Sequence, residues 1–272
     1  MALAGRIYLV TGSTDGLGKA TARRLALDGA TVLIHGRNEY KGENVLKRMK
    51  AETGNPNIEL FLADLSSLEQ IRQLSRDIHE KYDRIDVLIH NAAVFEEKRR
   101  ESIDGYEMTF AVNVLAPFLL TYLLLDMLPK NKGDGRIVIV GSMQHSYCID
   151  FTDLQLEKSY DGITAYEMSK LCAIIIAYEL AERLQPFNIT VNTLDPGMVD
   201  TDLLHAGWKF YGMPPEEADS VYLMATQPLF AKVSGGYYVR KRESRSAEVS
   251  YKTKTRRRLW ALLEEMAGAP YP

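Results

Sequence analysis

Cysteine is scarce in this chain of 272 residues: Cys148 and Cys172 are the only two. So few thiols suit a reducing compartment. The five histidines, His35, His79, His90, His145 and His205, are scattered, and no Cys or His pair stands at zinc-ligand spacing, so no metal site is expected. Long apolar runs are absent as well. The longest, Phe118 to Leu128, is broken by Asp126 and falls short of the ~20 residues a bilayer requires. The N-terminal stretch Met1-Ala2-Leu3-Ala4-Gly5-Arg6 passes directly into an apolar strand pattern, without room for a secretory signal. A cytoplasmic protein is expected. Nor is there an excess of positive charge: 33 Lys and Arg face 36 Asp and Glu, a net charge of −3, which gives nucleic acid no global attraction.

What is present is apolar content of 46%, enough at this length for one large core. Short apolar runs alternate with helix-period segments. The runs are Ile7–Val10, Thr31–His35, Ile58–Leu62, Asp86–His90, Arg136–Val140 and Ile189–Leu194. Between them lie helical patterns around Asn44–Thr53, Ser67–Tyr82, Gly105–Leu128 and Thr164–Leu184. Strands that alternate with helices imply right-handed crossovers and a parallel sheet buried on both faces. The expected fold is an α/β doubly wound parallel sheet of Rossmann type, a single domain over residues 1–272 with helices on both faces.

In such a sheet a ligand sits beyond the carboxyl ends of the strands, so the residues just after each strand carry the information. After the first comes Gly12-Ser13-Thr14-Asp15-Gly16-Leu17-Gly18, which opens a helical pattern. Glycines there permit backbone angles barred to other residues and a close approach to a ligand. The helix N-terminus offers unpaired N–H groups to an anion such as a pyrophosphate. After the second strand stand Gly36 and Arg37, with no carboxylate before Glu39. An acidic residue there would bind a free ribose 2′-hydroxyl, whereas an arginine accommodates a 2′-phosphate, so NADP(H) is expected over NAD(H). The competing reading of Arg37 is a solvated surface side chain. Asp64, after the third strand, either accepts from an adenine amino group or caps the next helix.

The chemistry centres on Tyr166 and Lys170, four residues apart and therefore stacked on one helix face. A free tyrosine titrates near ~10, and a nearby ammonium favours its phenolate. Such a tyrosine can exchange a proton with a carbonyl or alcohol oxygen. Ser142 ends the fifth strand at the same crevice, with a hydroxyl able to donate to a substrate oxygen. Asn113 lies inside a long helical pattern, where amides are poor helix formers. Pro117, four residues later, lacks the N–H that would pair with the Asn113 carbonyl. A kink is expected there, with that carbonyl left for a water on a proton path.

Together, Thr11-Gly12-x-x-x-Gly16-x-Gly18, Asn91-Ala92, Asn113, Ser142, Tyr166-x-x-x-Lys170 and Pro196-Gly197 resemble the short-chain dehydrogenase/reductase superfamily over nearly the whole chain. The long gap between Ser142 and Tyr166, with the tail residues Ser234–Tyr238 and Arg258–Trp260, is most similar to the retinol dehydrogenase-like and WW-domain oxidoreductase-like branch. The resemblance implies hydride transfer at a nicotinamide, with Tyr166 as general acid/base and Lys170 lowering its pKa and binding the nicotinamide ribose. It further implies that Ser142 orients the substrate oxygen and Asn113 holds a relay water. Val199 and Thr201 would contact the carboxamide, and Asp64 with Leu65 the adenine. Two positions depart from the pattern. Ala93 replaces a usual glycine in His90-Asn91-Ala92-Ala93, at a cost of about a kcal/mol if its φ must be positive. Asp15 stands where NADP-preferring relatives often carry a basic residue, and weakens 2′-phosphate binding unless it points away.

The resemblance implies that residues 200–225 cover the substrate, and Trp208, Phe210, Tyr211 and Met213 there fit either an apolar ligand or core packing. The extension 240–272 begins with nine basic residues between Arg240 and Arg258, against Glu243 and Glu248. This is either a solvated face or a surface for peripheral contact with anionic lipid or a partner protein. The apolar segments Phe118-Leu119-Leu120 and Ala173–Ala177 suggest pairing into a homodimer or homotetramer, with burial inside one chain as the alternative. The expected activity is NADP(H)-dependent interconversion of a carbonyl and an alcohol on an apolar small molecule. The alternatives are an NADP(H) sensor without turnover and a reductase of a carbon-carbon double bond.

Overall fold

The computed structural model describes residues 2–129 and 135–271. Met1, the first residue of the N-terminal stretch read above, lies outside them. The described residues form an eight-stranded sheet in the order β3-β2-β1-β4-β5-β6-β7-β8. Its strands are β1 (Ile7–Val10), β2 (Thr31–Gly36), β3 (Ile58–Leu62), β4 (Val87–His90), β5 (Arg136–Val140), β6 (Thr190–Asp195), β7 (Tyr237–Val239) and β8 (Arg242–Glu243). β1 to β7 pair in parallel, and β8 returns antiparallel to β7. The short hairpin strand β8 and the three-residue β7 add to the six strands expected.

Val32, Leu33, Ile34, Val87, Leu88 and Ile89 are fully buried because helices cover both faces, which is why these strands read as continuous apolar runs. The crossover helices are α1 (Gly16–Leu27), α2 (Glu39–Thr53), α3 (Leu68–His79) and α6 (Gly162–Leu184). Side chains start each of them. Asp15 caps α1, Asn38 caps α2, Ser67 caps α3 and Asp161 caps α6, each such cap worth about 1 kcal/mol. The order in which strands are added reverses between β1 and β4, so their carboxyl ends frame the crevice in which such sheets bind ligands.

The segment expected as one kinked helix is three pieces: α4 (Met108–Phe110), a π-helical turn (Ala111–Leu115) and α5 (Ala116–Leu123). The Ala116 N–H reaches back to the Ala111 carbonyl, and the wider turn ends just before Pro117. The irregularity is thus a π turn centred on Asn113, in place of the simple proline kink anticipated.

Three short helices follow, α7 (Asp202–Trp208), α8 (Ser220–Thr226) and α9 (Glu248–Tyr251), and then the longer α10 (Thr253–Ala267). α10 settles the fate of the apolar helix faces. Trp260 meets Phe118 edge-on at 4.9 Å and Tyr271 at 4.7 Å. The Tyr271 hydroxyl donates to the Phe118 carbonyl at 2.7 Å. Phe118, Leu119, Leu120, Ile174, Ile175 and Ile176 are all buried within the single chain. The faces that suggested a homodimer or homotetramer are therefore covered from within, because α10 brings its own apolar stripe of Leu259, Trp260 and Leu263.

The basic stretch ahead of that stripe is partly internal. Arg256 pairs with Glu179 and Glu182, Lys241 with Asp219 and Arg245 with Glu248, while Arg258 lies over the Phe151 ring at 4.3 Å. Among the described residues, no helix is long and apolar enough to cross a membrane, and no cluster of three His, Cys, Asp or Glu could hold a metal ion.

Candidate active site

A cavity of about 750 Å³ opens at the carboxyl ends of β1, β4, β5 and β6. The glycine turn forms its floor. Gly12 and Gly16 both take positive φ, and a Cβ on Gly18 would stand 2.3 Å from the Gly12 carbonyl oxygen, so the turn is closed around glycine. Asn91, expected at the ligand, holds this turn together with His35 and Thr11. The Asn91 amide donates to the Thr11 and Gly12 carbonyls at 3.0 and 3.1 Å. His35 accepts the Gly12 N–H on Nδ1 at 3.1 Å, and its Nε2 lies 3.1 Å from the Ala63 carbonyl. Since Nδ1 accepts, the proton sits on Nε2 and the ring is neutral. Burial pushes the His35 pKa down to about 4, against the opposing pull of the Ala63 carbonyl. Thr11 accepts the Asn91 and Ala92 N–H groups on its hydroxyl.

Thr14, Asp15, Gly16, Leu17 and Gly18 line the cavity, as do Arg37, Asp64, Leu65, Asn91, Ala92 and Ala93. Ser13 does not. It is fully buried, its hydroxyl donates to the Val10 carbonyl and accepts the His35 N–H, both at 2.8 Å, and it thereby fastens β1 to β2. Its assignment to the ligand is corrected on that ground. Ala93 is not among the residues with positive φ, so the loss of glycine costs no backbone strain. Asp64 is not the helix cap; Ser67 is, and one Asp64 oxygen takes the Ser66 N–H and hydroxyl in a local turn.

Asp15 does face the cavity, but its charge is matched. One oxygen accepts the Gly16 N–H, and the other is paired with Lys41, which also lines the cavity. Lys41 was missed because it stands inside α2, beyond the post-strand residues. Its place one helical turn after Arg37 was the available signal. Arg37 is exposed at the same end, and among the described residues neither an ion pair nor a side-chain hydrogen bond occupies it.

At the other end α6 presents Tyr166 and Lys170. Tyr166 is 6% exposed. Burial raises its pKa above the usual phenol value; the Ser142 hydroxyl beside it offsets part of this, and the charge of Asp195 adds to it. Lys170 is not among these influences, contrary to the expectation that it would lower the phenol. Its ammonium lies 5.5 Å from the Tyr166 ring centroid and donates to the Val140 carbonyl at 2.9 Å. Burial lowers Lys170 itself to about 8. The Ser142 carbonyl accepts from His145 at 2.7 Å and from the Tyr237 hydroxyl at 3.0 Å, which fixes the serine's loop.

Asn113 stands behind this group and does not line the cavity. Its Oδ1 accepts the Val94 N–H at 2.8 Å, and its Nδ2 donates to the Val94 carbonyl and to Ser169. The π turn therefore carries an amide that staples the loop after β4 to α6. Pro196, Gly197, Val199 and Thr201 complete the wall, and Thr201 caps α7 and packs on Gly16.

The aromatic residues of segment 200–225 divide. Trp208 lines the cavity and meets Tyr166 edge-on at 5.0 Å; Phe210 lines it while 61% exposed. Tyr211 instead meets His205 edge-on at 5.5 Å, and Met213 bridges to Val199.

A family model described as short chain dehydrogenase matches residues 6–211. The chain belongs to that family. It is 35% identical to human polyprenol dehydrogenase over 281 residues, spanning 97% of this chain and 85% of that protein. With retinol dehydrogenase 13 of Mus musculus it shares 36% identity over 283 residues, spanning 97% and 84%. A solved structure from Shigella flexneri 2a, titled a short chain dehydrogenase complexed with NADP, superimposes with a TM-score of 0.73 at 26% identity, over 89% of this chain and 99% of that one. This short chain dehydrogenase sits in the retinol dehydrogenase-like branch. Its family chemistry is carbonyl and alcohol oxidoreduction on small molecules with a nicotinamide cofactor.

The residues present fit that cofactor. Lys170 is a buried ammonium with one acceptor among the described residues, Val140, and so has donors to spare for ribose hydroxyls. The glycine turn and the start of α1 line the same cavity as Lys170 and Arg37.

Proposed function

We propose that the protein is an NADP(H)-dependent oxidoreductase that interconverts a carbonyl and an alcohol on an apolar substrate. The observation that carries this reading is the Ser142–Tyr166 hydroxyl pair above Lys170, at one end of a cavity whose other end holds Arg37 and Lys41. Bound NADPH supplies a hydride for the carbonyl carbon. Tyr166 gives its proton to the carbonyl oxygen, Ser142 donates a second hydrogen bond to that oxygen, and the Lys170 ammonium holds the nicotinamide ribose. A phenol made reluctant to ionise by burial releases its proton only as charge develops on the substrate oxygen. In the oxidative direction each step reverses.

The preference for NADP(H) rests on two cations and a neutralised carboxylate at the adenosine end. The preference for an apolar substrate rests on Trp208, Phe210, Met143 and Met198 around the mouth. Residues 200–225 act as its lid. Lys209, Arg240 and Arg242, exposed near those apolar side chains, are what a peripheral anionic lipid surface would meet. Titration of NADPH and NADH by nicotinamide fluorescence, followed by a panel of apolar aldehydes and ketones, tests the reading. Tighter NADPH binding and consumption by some carbonyl are expected; NADPH binding without any turnover would replace the enzyme by a sensor.

A further inference from the structure

The last residue of β6 is a carboxylate, Asp195, only 6% exposed. Its Oδ2 accepts the Met143 N–H at 2.7 Å, and its Oδ1 accepts the Gly197 N–H at 2.8 Å. Met143 follows Ser142, and Gly197 belongs to the turn that walls the cavity beside Tyr166 and Lys170. One side chain thus joins the serine loop to that turn. Among the described residues no cation pairs with it. Arg240 passes over Gly197 with its guanidinium, yet touches Asp195 only through the backbone, its N–H donating to the Asp195 carbonyl at 2.7 Å. Two N–H donors and the charge of Lys170 across the site are what hold a carboxylate in so buried a place.

We propose that Asp195 is a positioning residue for the reaction: its two oxygens set the distance between the Ser142 hydroxyl and the Gly197 turn. Its charge has a second effect at the same place. Tyr166 and Lys170 face it from α6, Tyr237 from β7, Arg240 from the hairpin beyond, and His145 through the Ser142 carbonyl. The negative charge favours the protonated forms of Tyr166 and Lys170, and so opposes the loss of the Lys170 proton that burial promotes. The inference rests on the Tyr166 chemistry proposed above.

Asp195→Asn keeps the shape but turns an amide N–H₂ toward one of two N–H donors and removes the charge. Carbonyl reduction needs a protonated Tyr166 and a charged Lys170, so it fails as pH rises through their titration. In the variant kcat should fall by about ten-fold, with the alkaline limb of kcat/KM displaced downward by on the order of one pH unit. A purely structural loss would lower activity without moving the limb, and an unmoved limb overturns the charge role.

Two readouts need no turnover, and so separate this inference from the reading it rests on. In protein carrying ¹⁵N-lysine, with the Lys170 signal identified by Lys170→Met, Asp195→Asn should move the Lys170 titration down; an unchanged titration overturns the effect. In the unaltered protein, the Met143 and Gly197 amide signals should move together on acidification. Independent movement would show that no single carboxylate holds both, even if the variant failed to fold.

Discussion

The Trp208 indole meets the Tyr166 ring edge-on at 5.0 Å, and the Phe95 ring lies 5.6 Å from the same indole. The lid thus touches the proposed proton donor through an aromatic face. Trp208→Ala should raise KM for an apolar ketone by about two- to ten-fold, the scale of one aromatic contact, and leave the NADPH Kd unchanged. Parallel initial-rate and fluorescence titrations check it. Loss of cofactor affinity equal to the rise in KM would place Trp208 at the nicotinamide instead.

Lys41 and Asp15 form an ion pair at the adenosine end of the cavity. Removing the lysine exposes an unmatched carboxylate beside the expected 2′-phosphate. Lys41→Ala should therefore weaken NADPH by about ten-fold while NADH changes little. Adding Asp15→Asn should recover part of the loss. Equal effects on both cofactors would mean that this corner does not meet the phosphate.

Arg37 stands at the same corner, among the described residues without an ion pair of its own. Arg37→Ala should lower NADPH affinity well beyond NADH affinity, measured by the same fluorescence titration. A uniform decrease would return Arg37 to the status of a surface side chain.

His35 and His90 are both buried and neutral, with burial holding their pKa values at about 4 and about 3. An unfolded histidine titrates near ~6.5. Between these values the unfolded chain binds more protons, so stability is complete above pH ~6.5 and is lost as pH falls toward the folded values. Urea unfolding at pH 7 and pH 5 should differ by about 2 kcal/mol for each histidine. His35→Gln, which can still accept from Gly12, should remove roughly half of that difference. A pH-independent stability over this range would contradict the neutral ring inferred from the Gly12 bond.

Much of this arrangement was readable in the residues themselves. Six strands could be found because two buried faces force continuous apolar runs. β7 could not: Tyr237-Tyr238-Val239 is three residues long and follows two glycines. α10 was hidden by its opening residues, Thr253 to Arg258, which read as a solvated basic face until Leu259, Trp260 and Leu263 show the stripe. The post-strand positions led to most of the cavity wall, because a doubly wound sheet puts its ligand there. Side chains that act from beneath, His35 under Gly12 and Ser13 between β1 and β2, gave no periodic signal. Asn113 could be singled out as a polar residue in a helical pattern, but the π turn that presents it has no sequence signature beyond Pro117.

The central claim is that Tyr166 delivers the proton. Tyr166→Phe keeps the ring against Trp208 and removes only the hydroxyl. The measurement is the single-turnover rate of NADPH oxidation by a carbonyl substrate, at saturating cofactor, beside the NADPH Kd of the same variant. The account predicts a rate reduced by about 10²- to 10⁴-fold with Kd nearly unchanged. A variant that turns over at the rate of the unaltered protein would contradict it.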